Sequence, residues 1–111
     1  MLQENITVIV ARNERWSGKA ASEPYEAGWA REAVIFVRAV KAPAGQQPMA
    51  RAEISPDGIH WLPEGGEFPM PKQKDDISVA RLCKFGNWLR VSADFTEGAE
   101  ATVLVTLHLK A

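Results

Sequence analysis

The sequence predicts an all-β protein: one β-sandwich of jelly-roll or immunoglobulin-like type, spanning residues 1–111, with seven to nine short strands. Three observations predict it. Ala101, Val103, Val105, Leu107 and Leu109 alternate with Thr102, Thr106, His108 and Lys110, the period-two pattern of a strand with one buried face. Turn residues recur along the chain, among them Ser55-Pro56-Asp57-Gly58, Phe85-Gly86 and Thr96-Glu97-Gly98. No segment sustains a 3.6-residue apolar period, so no helix longer than about two turns is expected.

The first strand is expected over Gln3 to Ala11, where Ile6, Val8 and Val10 alternate with Thr7, Ile9 and Ala11. Arg12 to Gly28 has no sustained period and reads as a short strand around Trp16 to Ala20 followed by an irregular connection. Ala33 to Val40 is a continuous apolar run; its β-branched residues and the flanking Gly28 and Pro43 make it a strand covered on both faces. Pro43, Gly45 and Pro48 break the chain before the arms Met49 to Ile54 and Ile59 to Leu62. Pro63 to Pro71, with Gly65-Gly66, reads as a surface loop and Lys72 to Asp76 as its charged tip. Ile77 to Lys84 and Asn87 to Asp94 form a further strand pair around Phe85-Gly86, and the alternating strand closes the chain. No internal repeat points to a propeller or solenoid.

A chain of 111 residues is long enough to bury a core without staples. Its net charge of −1 and scattered Lys and Arg give no footprint for nucleic acid. Cys83 is the only cysteine, which excludes an intramolecular disulfide, and its neighbours Val79-Ala80-Arg81-Leu82 make it a small buried hydrophobe. Met1 to Asn5 carries no basic leader, and Ile6 to Ala11 is too short to span a membrane. The expectation is a cytoplasmic protein with no membrane partner.

The hairpin around Ser55-Pro56-Asp57-Gly58 admits two registers. With Pro56-Asp57 alone as the loop, Ile54 faces Ile59, Ala52 faces Trp61, and Trp61 joins the core. With Gly58 in a left-handed bulge, Ser55 faces Ile59, Leu62 turns inward and Trp61 lies beside Glu53 on the polar face. Turn chemistry favours the bulge, because Pro56 forbids the positive φ of a type I′ loop. Hydrophobic patterning favours the core position. On an outer face Trp61 must meet another loop, another subunit or a ligand.

The run Ser55-Pro56-Asp57-Gly58-Ile59-His60-Trp61 resembles the S-x-D-G-x-x-W hairpin of discoidin-type β-sandwich modules and of small all-β proteins of phage virions. It is also faintly similar to the Asp-box hairpin of sialidases, although it lacks the residue that motif places between Asp and Gly. The resemblance covers the hairpin and, more loosely, Trp88-Leu89-Arg90-Val91 and the closing strand. It implies that Asp57 and Gly58 shape the turn and that Trp61 packs at the sandwich edge. A phage origin and virion association also belong to what it implies.

Chemistry is sparse. His60 and His108 are the only histidines and stand at unrelated places, so they form no zinc motif. No nucleophile elbow or phosphate loop appears, and Gly65-Gly66 sits among prolines. Asp75-Asp76 with Glu64 and Glu67 match no calcium-loop spacing. The expectation is no enzyme, no metal and no cofactor. Trp16, Tyr25 and Trp29 cluster in the irregular segment, either as plugs for an open end of the core or as a platform on which a sugar ring stacks. Two readings remain: a non-catalytic structural or protein-interaction module that self-associates, with Trp61 as one contact, or a carbohydrate-binding module using Trp16, Tyr25 and Trp29.

Overall fold

The structure is a computed structural model and describes residues 5–111. Among these residues nine strands form two antiparallel sheets: β1 (Asn5–Trp16), β2 (Lys19–Ala21), β3 (Tyr25–Glu26), β4 (Glu32–Ala39), β5 (Met49–Ser55), β6 (Leu62–Pro69), β7 (Ile77–Cys83), β8 (Trp88–Asp94) and β9 (Ala101–Lys110). The four-stranded sheet runs β1-β9-β4-β7. The five-stranded sheet runs β2-β8-β5-β6, with β3 also on β8. No helix forms among the described residues, which agrees with the missing helical period.

The two sheets close on one core. Ala101, Val103, Val105, Leu107 and Leu109 of β9 are all buried, as their alternation predicts, and they face inward beside Ile35 and Val37 of β4. Opposite them stand Leu89, Val91 and Ala93 of β8 with Ala50 and Ala52 of β5. Small alanines on β5 and β8 face the larger aliphatic residues of β4 and β9, so the layers interdigitate.

The first strand is longer than expected, and Gln3 and Glu4 of that expectation lie outside the described residues. From Asn5 it runs on to Trp16 through two register shifts, between Ile9 and Ala11 and between Ala11 and Glu14, where Asn13 takes a φ of 49°. These bulges hide the alternation from a strict period-two reading and bend the strand. Trp16 thereby ends β1 instead of starting the next strand, and Gly18 hands the chain to β2 on the other sheet. Ser22 then ties the layers together. Its backbone N–H donates to Val91 O at 2.8 Å, its hydroxyl accepts from Val91 N at 3.0 Å, and the N–H of Glu23 donates to Val10 O at 2.8 Å.

Four further expectations are corrected. Residues 77–84 and 87–94 do not pair around Phe85-Gly86, because the chain crosses there between layers: β7 lies on β4 in the four-stranded sheet and β8 on β5 in the other. Pro63 to Pro71 is not a loop, since residues 62–69 form β6, an edge strand on β5. An edge tolerates Pro63 and Pro69, and Gly65, with φ 112°, absorbs the register shift opposite Ala52. β4 is not covered on both faces: Ala33, Ile35 and Val37 are buried, but Val34 and Phe36 remain half-exposed on the outer side. Cys83 is exposed, because β7 is an edge strand and residue 83 points away from the core.

Candidate functional site

Neither proposed hairpin register forms. Ile54 pairs with Leu62 and Glu53 with Pro63, so residues 56–61 make a longer loop and Trp61 stands outside the ladder. Side-chain bonds replace the tight turn. Ser55 Oγ accepts from the backbone N–H of Gly58 at 2.8 Å and of Asp57 at 3.2 Å, which caps the turn. Asp57 Oδ1 accepts from the N–H groups of Ile59 and His60, both at 2.9 Å, while Oδ2 meets His60 Nδ1 at 2.7 Å. The His60 backbone N–H, then the His60 ring and the Ile59 N–H, hold the Asp57 carboxyl well below the usual carboxylate range. Gly58 takes the positive φ that turn chemistry requires, 78°, and a Cβ there would stand 3.2 Å from the Trp88 ring. The loop is thus folded down onto Trp88, and its single acid is consumed in shaping it.

The loop delivers Trp61 to the outer face of the five-stranded sheet, the side foreseen for the bulged register but by a different path. There the Arg90 guanidinium lies over the Trp61 ring, 4.3 Å from its centroid. Arg90 Nε donates to Glu53 Oε1 at 2.8 Å, and Glu53 Oε2 stands 3.7 Å from Arg51 Nε. Arg51 in turn reaches Asp94 at 3.2 Å. Register explains the chain of charges: Glu53 faces Arg90 and Arg51 faces Ser92 across β5 and β8, while Lys19 faces Asp94 across β2 and β8. Glu53 is 8% exposed, and a carboxylate so buried is tolerable only because two guanidiniums flank it. Lys19, Ala21, Arg51, Glu53, Arg90, Ser92 and Asp94 border a depression of about 340 Å³.

The opposite face of the sandwich carries an apolar band among charged and polar residues. Ile9 of β1, Thr106 of β9, Phe36 of β4 and Val79 of β7 form one row straight across the four-stranded sheet. Leu104, Arg38 and Ile77 form the next row, and Phe36 packs edge-on against His108 with ring centroids 4.9 Å apart. Ile9, Ile77 and Val79 are exposed. Beyond Val79 the sheet ends at the edge of β7.

Trp16, Tyr25 and Trp29 do not assemble into a platform. Trp16 is 1% exposed in the core, its indole N–H donating to Glu14 at 3.1 Å. Tyr25 packs against the same core from β3, and Trp29 alone of the three is exposed. Asp75 is turned to Arg38 at 2.7 Å, and no group of three or more His, Cys, Asp or Glu gathers for a metal among the described residues. The sequence gives Glu53 a place beside Trp61 but no role to Arg51, Arg90 or Asp94. Their signal is Arg51-Ala52-Glu53 and Arg90-Val91-Ser92-Ala93-Asp94, where polar groups alternate with apolar ones on two strands. Only the pairing of β5 with β8 turns those alternations into one charged surface.

No protein-family model matches the chain, and no curated protein matches it. Among solved structures, the SPBc2 prophage-derived protein YomS has a similar fold, with a TM-score of 0.65 over 100% of this chain and 96% of that one, at 7% sequence identity. A likeness at that identity concerns the fold alone. No helix among the described residues is long and apolar enough to cross a membrane.

Proposed function

We propose that this protein is a non-catalytic structural module that assembles with copies of itself through β7 and the outer face of the four-stranded sheet. The observation that carries the reading is the regular outer edge of β7, which no strand pairs among the described residues and which touches β6 only from below, where Ser78 Oγ donates to Pro69 O. Its seven residues pair with β4 without a register shift, include no Pro and carry a single charge, Arg81. The other edges are blunted: β1 is bulged twice and carries Arg12, Glu14 and Arg15; β6 holds two prolines and a register shift; β2 has three residues. A long, regular edge with a single charge is the kind that pairs with another chain. Antiparallel pairing of β7 with β7 of a second copy would extend the sheet and bring the exposed Ile77 and Val79 of both copies together, a two-fold contact closed on itself.

The likeness in fold to a prophage-derived protein supports a phage origin for the module, and the Ser55-to-Trp61 hairpin resembles that of phage virion proteins. We extend that reading to a virion location, which the hairpin resemblance supports. Trp61, lying under Arg90 on the opposite sheet, has no part in the contact. Light scattering at micromolar concentration tests the assembly. A mass of at least twice the 12.2 kDa chain is expected, reduced to one chain in Val79→Lys, whose charge on the edge opposes pairing. A clean monomer mass for the unaltered protein would overturn the proposal.

A further inference from the structure

We infer that the depression on the outer face of the five-stranded sheet is a binding site for a neutral saccharide of about one ring. This goes beyond the assembly reading and is independent of it, since the two surfaces lie on opposite sides of the sandwich. The volume of about 340 Å³ sits at the small end of ligand sites.

Ser92 points to a ligand. It is 3% exposed, and its Oγ, sealed from solvent, has no hydrogen-bond partner among the described residues. The other two buried serines are fully engaged: Ser22 Oγ accepts from Val91 N and donates to Glu23 O, and Ser55 Oγ caps the hairpin turn. A sealed hydroxyl without a protein partner is unfavourable, and such a group calls for a partner from outside the chain, a water or a ligand hydroxyl. Arg51 stands directly opposite Ser92 in the ladder. Its hold on Asp94 is a partly exposed pair of small energy, so the guanidinium can shift to admit a ligand hydroxyl.

The surrounding chemistry selects the ligand class. Arg90 engages Glu53 through Nε alone, leaving its Nη groups without a protein acceptor among the described residues, while Asp94 is 53% exposed and keeps lone pairs free. The site thus offers both donors and acceptors within one small area. Lys19, Arg51 and Arg90 against Glu53 and Asp94 leave a single surplus positive charge. A phosphate or other strong anion on the free Arg90 donors would lie against the Glu53 and Asp94 carboxylates in the same small depression and be repelled by them. Neutral hydroxyls, each a donor and an acceptor, can add to the free positions at the cost of the weak Arg51–Asp94 pair alone, with Glu53 kept between Arg90 and Arg51. The Arg90 side chain is fixed from two sides, by Glu53 and by the Trp61 ring, so its free donors are held in place before a ligand arrives.

The test is nuclear magnetic resonance on the full chain, titrated separately with glucose, galactose and N-acetylglucosamine, and in parallel with phosphate and glucuronate. Saturable shifts of the Ala21, Arg51 and Ser92 amides with at least one neutral sugar are expected. Ser92→Ala should weaken that sugar by about tenfold while leaving the unfolding midpoint unchanged or raised, because it removes a hydroxyl the fold does not use. Three results would overturn the inference: no response to any neutral sugar, response to the anions alone, or undiminished affinity in Ser92→Ala. A monomer mass would sink the assembly proposal without touching this one.

Discussion

Ile9, Thr106, Phe36 and Val79 cross the outer surface of the four-stranded sheet in one row, and on the other side of the sandwich the corresponding row reads Ala21, Ser92, Arg51 and Glu67. Both rows sit over the same kind of inner face, packed with aliphatic side chains. The inner faces are therefore interchangeable in character, and the outer faces are not. On the five-stranded sheet, ion pairs and a cation over an aromatic ring complete each other within the chain. On the four-stranded sheet, exposed aliphatic groups find no such partner at the edge. The difference teaches that a sandwich of this size can knit the charges of one outer surface together from its own residues, with Ser92 left over, while aliphatic groups on the other stay exposed.

The largest break in that comparison comes from Glu53→Ala. Removing the carboxylate leaves Arg90 and Arg51 facing each other without their shared partner on a mostly buried surface, and a loss of about 3 kcal/mol is expected. Chemical denaturation measures it; a loss below about 0.5 kcal/mol would mean that the charged face is no better knit than an ordinary surface. Gly58→Val follows at about 2 kcal/mol, because a β-branched residue must hold a φ of 78° with its Cβ against the Trp88 ring. An unchanged denaturation midpoint would show that the loop is free of Trp88 and that Trp61 reaches the charged face by some other support.

Acid acts on the same end of the charged sheet. Because the folded state depresses the carboxyl of Asp57, the unfolded chain takes up a proton there first as pH falls through the ordinary carboxylate value of about 3.9. The stability that Asp57 contributes is complete above that value and declines below it. Asp57→Asn should flatten this acid limb in a pH series of unfolding midpoints, leaving the smaller slope from Asp75, whose carboxyl Arg38 also depresses. Identical acid limbs would remove Asp57 from the account. Smallest of all is Val79→Thr on the apolar band, expected to change unfolding by no more than about 0.5 kcal/mol in a monomer, because the residue already meets solvent. A larger loss at concentrations where the protein is assembled, absent on dilution, would separate the energy of the interface from that of the fold.

Much of this molecule is legible in its residues. The alternation from Ala101 to Leu109 determines the face that β9 buries, the punctuating turns divide the chain into short strands, and Ser55-Pro56-Asp57-Gly58 specifies a capped turn with a positive φ at Gly58. These are local properties: side-chain period and backbone sterics act over a few residues and need no distant partner. The hairpin residues leave Trp61 open between two registers, and neither forms, because Asp57 gathers the Ile59 and His60 amides into a longer loop and Ile54 pairs with Leu62. β6 was hidden by its prolines and glycines, which rule out a central strand but not an edge, and edge position is a property of the sheet. Trp16 entered the core through bulges that no period detects, and Cys83 left it because β7 ends the sheet. The charged face belongs wholly to the tertiary level: Arg51 and Glu53 on one strand, Arg90, Ser92 and Asp94 on another, and Lys19 on a third are brought together by strand pairing over as many as 75 positions of sequence, from Lys19 to Asp94. Sequence patterning determines which way each side chain points along its own strand, whereas the charge it meets depends on which strand lies beside it, and only the closed sandwich decides that.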